Sequence, residues 1–191
     1  MKTNLHLNNI VQSQVISAID SKDKIQIAIN SDCNVAFLLT GDILLLPSYI
    51  KQLHDAGMYV FVHMDFIEGL ANDKSAIDYI VKEINPIGII TTKSFVIKLA
   101  KKQGLQTIQR LFLIDGNAVN KGIKITQVSK PDAIELLPGI IPKVIDRFTK
   151  KSELPIIAGG LVEHPEEIHT ALEAGALAVS TGAQTLWNQG F

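Results

Sequence analysis

The chain has 191 residues, 47% of them hydrophobic and 19% charged, with 18 Lys and Arg against 19 Asp and Glu for a net charge of -1. That composition can bury a substantial core in one domain and excludes a disordered chain, while the balanced charge excludes a uniformly basic coat for nucleic acid. A single cysteine, Cys33, excludes an intramolecular disulfide and a multi-cysteine zinc site, and fits a reducing compartment.

No apolar run approaches the ~20 residues of a membrane-spanning helix, and residues 1–6 lack the apolar stretch of a signal peptide. The expectation is a cytoplasmic protein without membrane contact, with residues 1–191 in one domain. Along the chain, short runs rich in Val, Ile and Leu alternate with longer amphipathic stretches. The first run covers 14–19. The second, 35–39, ends in Thr40-Gly41-Asp42, and a helical stretch then closes at Gly57. The third, 59–63, ends in His63-Met64-Asp65. The fourth, 88–91, ends in Thr91-Thr92-Lys93, before a helix closed by Gly104. The fifth spans 107–114 and runs into Asp115; the sixth, 133–137, contains Glu135. Pro142 opens a helix carrying Val144, Ile145 and Phe148. The seventh run, 155–158, is followed by Gly159-Gly160. Pro165 opens another helix, with Glu166 and Glu167 in its first turn and Gly175 at its end. The eighth run, 176–179, leads into Ser180-Thr181-Gly182.

Near-continuous apolar runs suit strands buried on both faces, as in a parallel sheet. Proline at a first helical position and glycine just past the end are ordinary helix boundaries. Eight such units predict an α/β fold, a compact (β/α)8 TIM-type barrel. Typical barrels use about 250 residues, so the loops must be short. An open doubly wound sheet is the rival.

In a barrel the loops that follow the strands form one functional face. Gly159-Gly160 after run seven and Ser180-Thr181-Gly182 after run eight predict a phosphate site, because glycines admit close approach of an anion to free N–H groups. Thr185 to Trp187 would begin a small helix that completes it. His63 and Asp65 share a strand face. With Glu68 and Glu135 they form a polar layer for a ligand's hydroxyls, or alternatively metal ligands or an acid–base pair. Lys93 and Arg110 would balance those carboxylates or a ligand anion. No nucleophile motif, metal signature or cofactor motif stands out, and Cys33 reads as an inert small residue.

Charge is segregated. Residues 93–151 hold 12 basic and four acidic residues, net +8, whereas 1–92 carry -4 and 152–191 carry -5. Lys143, Arg147, Lys150 and Lys151 are spaced to share one helical face, and Lys98, Lys101 and Lys102 crowd another. Such a stripe could hold nucleic-acid phosphates. Few aromatics are interleaved with it, which argues against stacked bases as the main mode.

Five segments carry a family likeness: His63-Met64-Asp65-Phe66-Ile67-Glu68-Gly69-Leu70, Gly88 to Lys93, Gln109 to Asp115, Pro131-Asp132-Ala133-Ile134-Glu135-Leu136-Leu137-Pro138-Gly139, and Ile156 to Leu161. In that order, over nearly the whole chain, they resemble the glycerol uptake operon antiterminator family. The resemblance implies a barrel that senses glycerol 3-phosphate and acts on leader mRNA to prevent premature termination, with no cofactor beyond that effector. It assigns the phosphate to Gly159, Gly160, Ser180 and Thr181, and the glycerol hydroxyls to Asp65, Lys93 and Glu135. Thr40 stands where an aromatic residue is expected, and Thr91 where serine is. A homo-oligomer is compatible with this reading. The competing expectation is a phosphosugar isomerase or lyase, with Asp65 or Glu135 as base and Lys93 as stabiliser or Schiff-base former. A third is a vestigial barrel that binds a protein through its basic flank.

Overall fold

Each of the eight apolar runs forms a parallel strand, and the set closes on itself as a (β/α)8 barrel in the order β1 to β8. This is a computed structural model that describes residues 7–189; positions 1–6, where the signal-peptide expectation falls, and 190–191 lie outside it. The strands are β1 Val15–Ile19, β2 Val35–Leu38, β3 Tyr59–His63, β4 Gly88–Thr91, β5 Gln106–Phe112, β6 Ala133–Leu137, β7 Ile156–Gly159 and β8 Ala178–Thr181. The helices are α1 Leu7–Ile10, α2 Asp23–Ile29, α3 Leu46–Asp55, α4 Lys74–Tyr79, α5 Ser94–Lys102, α6 Gly116–Ser129, α7 Pro142–Thr149 and α8 Pro165–Glu173. A π-helical turn, Ile80–Ile84, extends α4, and a 3-10 turn, Gln184–Leu186, follows β8. The open-sheet alternative is excluded by the pairing of β1 with β8, in which Ile16 faces Ser180.

Period-two alternation divides the strand side chains between two cores. The inward set fills the barrel: Ile16, Val35, Phe37, Phe61, Ile90, Ile108, Ala133, Ile157 and Ala178 pack together. Phe37 and Phe61 meet edge to face at 5.8 Å. A Cβ on Gly88 would lie 2.6 Å from Phe61, so the fourth strand needs glycine to let that ring in. Leu7 and Ile10 of α1 join this cluster and plug the N-terminal end of the barrel. Each such buried side chain contributes ~1.5–3 kcal/mol. The outward set packs against the helices in a second, larger cluster.

The helix starts at Pro142 and Pro165 are where the sequence places them. The fifth apolar run predicts a strand to Ile114, but β5 stops at Phe112. The Leu113 amide turns to the Leu137 carbonyl at 2.7 Å, and Ile114 swings out to solvent. Among the described residues no helix is long and apolar enough to cross a membrane.

Candidate functional site

Above the apolar filling, the inward positions turn polar. Arg110 of β5 and Glu135 of β6 are register partners, so both side chains enter the barrel mouth. They form a two-point ion pair, Nε to Oε2 at 2.6 Å and Nη2 to Oε1 at 3.2 Å, with only 6% and 1% of the side chains exposed. Ser180 of β8 donates its hydroxyl to Glu135 Oε1 at 2.7 Å. Gly159 lies directly against this group: a Cβ there would overlap Ser180 Oγ and come within 2.8 Å of Glu135 Oε1. Side-chain absence on β7 is what lets β6 and β8 meet across it. The Phe66 ring covers the layer, 5.8 Å from the Arg110 guanidinium and 4.3 Å from the His63 ring.

The seventh and eighth strands end side by side, with Gly159 opposite Ser180. Gly160 and Leu161 follow with φ of +76° and +62°. Leu161 is a rare non-glycine in the left-handed region, and such local strain gathers at functional loops. Gly139 fastens the sixth loop here, its amide donating to the Gly160 carbonyl at 3.0 Å. Thr181 points outward and is locked: its hydroxyl donates to the Val162 carbonyl at 2.7 Å and accepts from the Ala183 amide at 3.0 Å. The 3-10 turn then brings Trp187, whose indole N–H donates to the Thr181 carbonyl at 2.9 Å. A cleft of about 540 Å³ opens between these loops and the barrel mouth, lined by Arg110, Glu135, Gly160, Ser180, Gly182 and Lys24.

Sequence reasoning does not single out Lys24. It sits in the first turn of α2, largely buried, and its ammonium donates to Asp20 at 2.9 Å and to the Gly182 carbonyl at 3.0 Å. An ammonium has three donors, and Asp20 Oδ1 at 2.8 Å, Asp20 Oδ2 and the Gly182 carbonyl offer an acceptor for each. Nothing in an ordinary amphipathic segment reveals a contact with a loop 158 residues away.

The third and fourth strand ends build a separate polar cluster. Asp65 accepts from the Thr92 amide at 2.8 Å and hydroxyl at 2.9 Å, and from the Thr91 hydroxyl at 3.1 Å; the Lys93 ammonium is 3.4 Å away. Burial alone would raise its pKa. The Thr92 hydrogen bonds, helped by Lys93, outweigh that and hold the carboxyl below the usual range. His63 is fully buried with neither ring nitrogen hydrogen-bonded. Burial, and then the Arg110 charge, push its pKa down to about 3, so the imidazole is neutral. Glu68 stands apart, exposed on the rim, where its backbone bridges to the second loop. No three His, Cys, Asp or Glu side chains among the described residues gather as metal ligands. Cys33 is buried, and desolvation raises its thiol to about 11.

The basic stretch covers three consecutive helices, but the expected four-residue face on α7 is not there. The helix ends at Thr149, so Lys150 is its cap and Lys151 lies in the following turn. Arg147 donates to Asn120 at 2.6 Å, and Lys150 pairs with Asp146 at 2.8 Å. Lys101 is also engaged, bonding Asp132 and the Lys130 carbonyl at 2.7 Å, beside a basal cleft of about 700 Å³. Lys98, Lys102 and Lys143 are exposed.

Comparison with known proteins is specific. Residues 15–187 match the model of the glycerol-3-phosphate responsive antiterminator family. A glycerol uptake operon antiterminator regulatory protein from Listeria monocytogenes is 39% identical, with a TM-score of 0.87 over 91% of this chain and 94% of that one. An antiterminator-related protein from Thermotoga maritima is 38% identical, with a TM-score of 0.81 over 91% and 96%. The Escherichia coli protein YgcP, whose function is uncharacterized, is 37% identical across 96% of this chain and 95% of its own length.

Proposed function

The chain belongs to the glycerol-3-phosphate responsive antiterminator family, and on that basis we propose that it is a ligand-gated, RNA-binding regulator of glycerol uptake genes rather than a catalyst. The observation that carries this reading is the convergence of the β7 and β8 ends beside the Lys24 ammonium. Together they make a small recess bounded by backbone, in which Lys24 would exchange Asp20 for a phosphate. Glycerol 3-phosphate would place its phosphate there and its hydroxyls toward Arg110, Glu135 and the Asp65–Lys93 cluster. The carboxylates support binding over proton abstraction. Asp65 and Glu135 already accept from Thr91, Thr92, Arg110 and Ser180, whereas a general base needs a free lone pair aimed at the substrate.

Calorimetric titration with glycerol 3-phosphate and with glycerol tests the site. A strong preference for the phosphorylated compound is expected, and equal affinities would overturn the assignment. Lys24→Ala should weaken glycerol 3-phosphate about ten- to hundredfold, the loss of one hydrogen bond from a charged group, while leaving any residual glycerol binding unchanged.

Regulation would follow as a population shift. Ligand orders the strand-end loops and favours the RNA-competent state, so ligand must tighten RNA binding by the same factor that RNA tightens ligand binding. The exposed cations of the flank supply a long-range, salt-sensitive attraction. Lys98→Ala/Lys143→Ala should weaken leader RNA and reduce the salt slope by ~0.7 for each phosphate that is no longer neutralised, with ligand affinity unaltered. Equal RNA affinity with and without ligand in filter binding would remove the switch.

A further inference from the structure

Among the described residues, eight of the ten large apolar side chains left exposed lie at strand C-termini or on the loops and helix starts that follow them. The apolar surface is therefore concentrated around the barrel mouth, and a concentrated patch signals a partner. Its composition changes around the rim. Over the third, fourth and fifth strands it is aromatic: Phe66 is 48% exposed, Phe95 in the first turn of α5 is 54%, and Phe112 at the end of β5 is 56%. These elements are neighbours in the barrel. The same sector is where the +8 stretch begins. Lys93 is the N-cap residue of α5, two positions before Phe95, and Lys143 stands exposed in the first turn of α7, while Arg110 is buried beneath Phe66. Three acidic groups of this sector are engaged, Asp65 with Thr92 and Lys93, Glu135 with Arg110 and Ser180, and Asp115 with the Ala118 amide at 2.7 Å, while Glu68 is exposed two residues from Phe66.

We infer that this aromatic sector is a stacking platform for unpaired RNA bases, with the backbone phosphates running toward the adjoining lysines. The inference rests on the RNA-binding reading above and assigns it a surface that the basic helices alone do not define. Rings that alternate with cations are the chemistry by which single strands are held, since every base has a π-face while a duplex hides its bases. A protein partner would not need the positive edge. The aromatics are separated by 29 and 17 positions in the sequence, and only the barrel brings them to one rim. Their sparseness along the chain argues against stacking; their convergence at the rim reverses that argument. Phe66 also ties the platform to the ligand site. Its ring rests on Arg110 and His63, so a ligand that engages Arg110 from the adjoining cleft resets the ring presented to RNA.

The test uses the full chain saturated with glycerol 3-phosphate and an unpaired RNA oligonucleotide of mixed sequence, with its duplex as control. Phe95→Ala/Phe112→Ala should weaken the single strand about 30-fold or more. The salt slope, the melting temperature and the affinity for glycerol 3-phosphate should not change. Phe95→Leu/Phe112→Leu, which keeps apolar bulk but loses the ring, should be weakened nearly as much, and Phe95→Trp/Phe112→Trp should retain binding. Undiminished RNA affinity in the alanine pair, or full affinity in the leucine pair, overturns the platform. So does an alanine pair that binds RNA normally but dissociates from dimer to monomer in sedimentation, because the rim is then a contact between copies. Should the unaltered protein bind neither RNA form while still taking glycerol 3-phosphate, the RNA reading itself falls, and the platform with it.

Discussion

Arg110→Ala is expected to destabilise the fold by about 3–5 kcal/mol in urea unfolding, the cost of stranding one charge of a buried pair. Glu135, 1% exposed, would keep only the Ser180 hydroxyl as a partner. The informative comparison is Arg110→Met/Glu135→Leu/Ser180→Ala, which replaces the network by apolar groups of similar bulk. Removing both charges together costs little or even stabilises, and including Ser180 avoids an unsatisfied buried hydroxyl worth roughly 1–3 kcal/mol. That triple variant should recover to within about 1 kcal/mol of the parent. If the network is kept for ligand recognition, glycerol 3-phosphate binding is lost in the triple variant although the fold is restored. A destabilisation under about 1 kcal/mol for Arg110→Ala would mean that water reaches the pair and screens it like a surface salt bridge.

The same pair shows where sequence reading succeeds and where it stops. The strands are legible because a parallel barrel buries both faces, so each appears as an unbroken apolar run, and the prolines at 142 and 165 mark their helices by removing an N–H that no helix start needs. The candidate site is legible only as a set of strand ends. Arg110 and Glu135 each look like a polar residue inside an apolar run. Nothing local says that register sets them face to face, which depends on how β5 and β6 align. Lys24 is less visible still, because its partner is the carbonyl of Gly182 on the last loop. The α7 stripe fails for a different reason. Spacing of i, i+4, i+7 and i+8 defines a face only while the helix lasts, and Thr149 ends it. The rim aromatics escape a linear reading because each ring taken singly looks like packing, and exposure is a property of the loops, not of the residues.

His63 gives the second large effect, on pH dependence. Its pKa falls from the ordinary 6.5 to about 3 in the fold because of burial and then the Arg110 charge. Below pH 6.5 the unfolded chain takes up a proton that the folded chain refuses, so stability falls as the pH drops, by about 1.4 kcal/mol per unit until the folded value is reached. At pH 4.5 that is roughly 2–3 kcal/mol. Asp65, held below 3.8, and Glu167, held below 4.5 by the Glu163 and His164 amides, lose their contributions only at lower pH. His54 is also lowered by partial burial, so the difference between the parent and His63→Phe isolates the buried imidazole. The phenylalanine variant should show a much flatter loss of stability between pH 6.5 and 4.5, and it removes two unpartnered buried nitrogens at neutral pH. Matching acid profiles for the two proteins, or a His63 titration midpoint near 6.5 by nuclear magnetic resonance, would contradict the assignment.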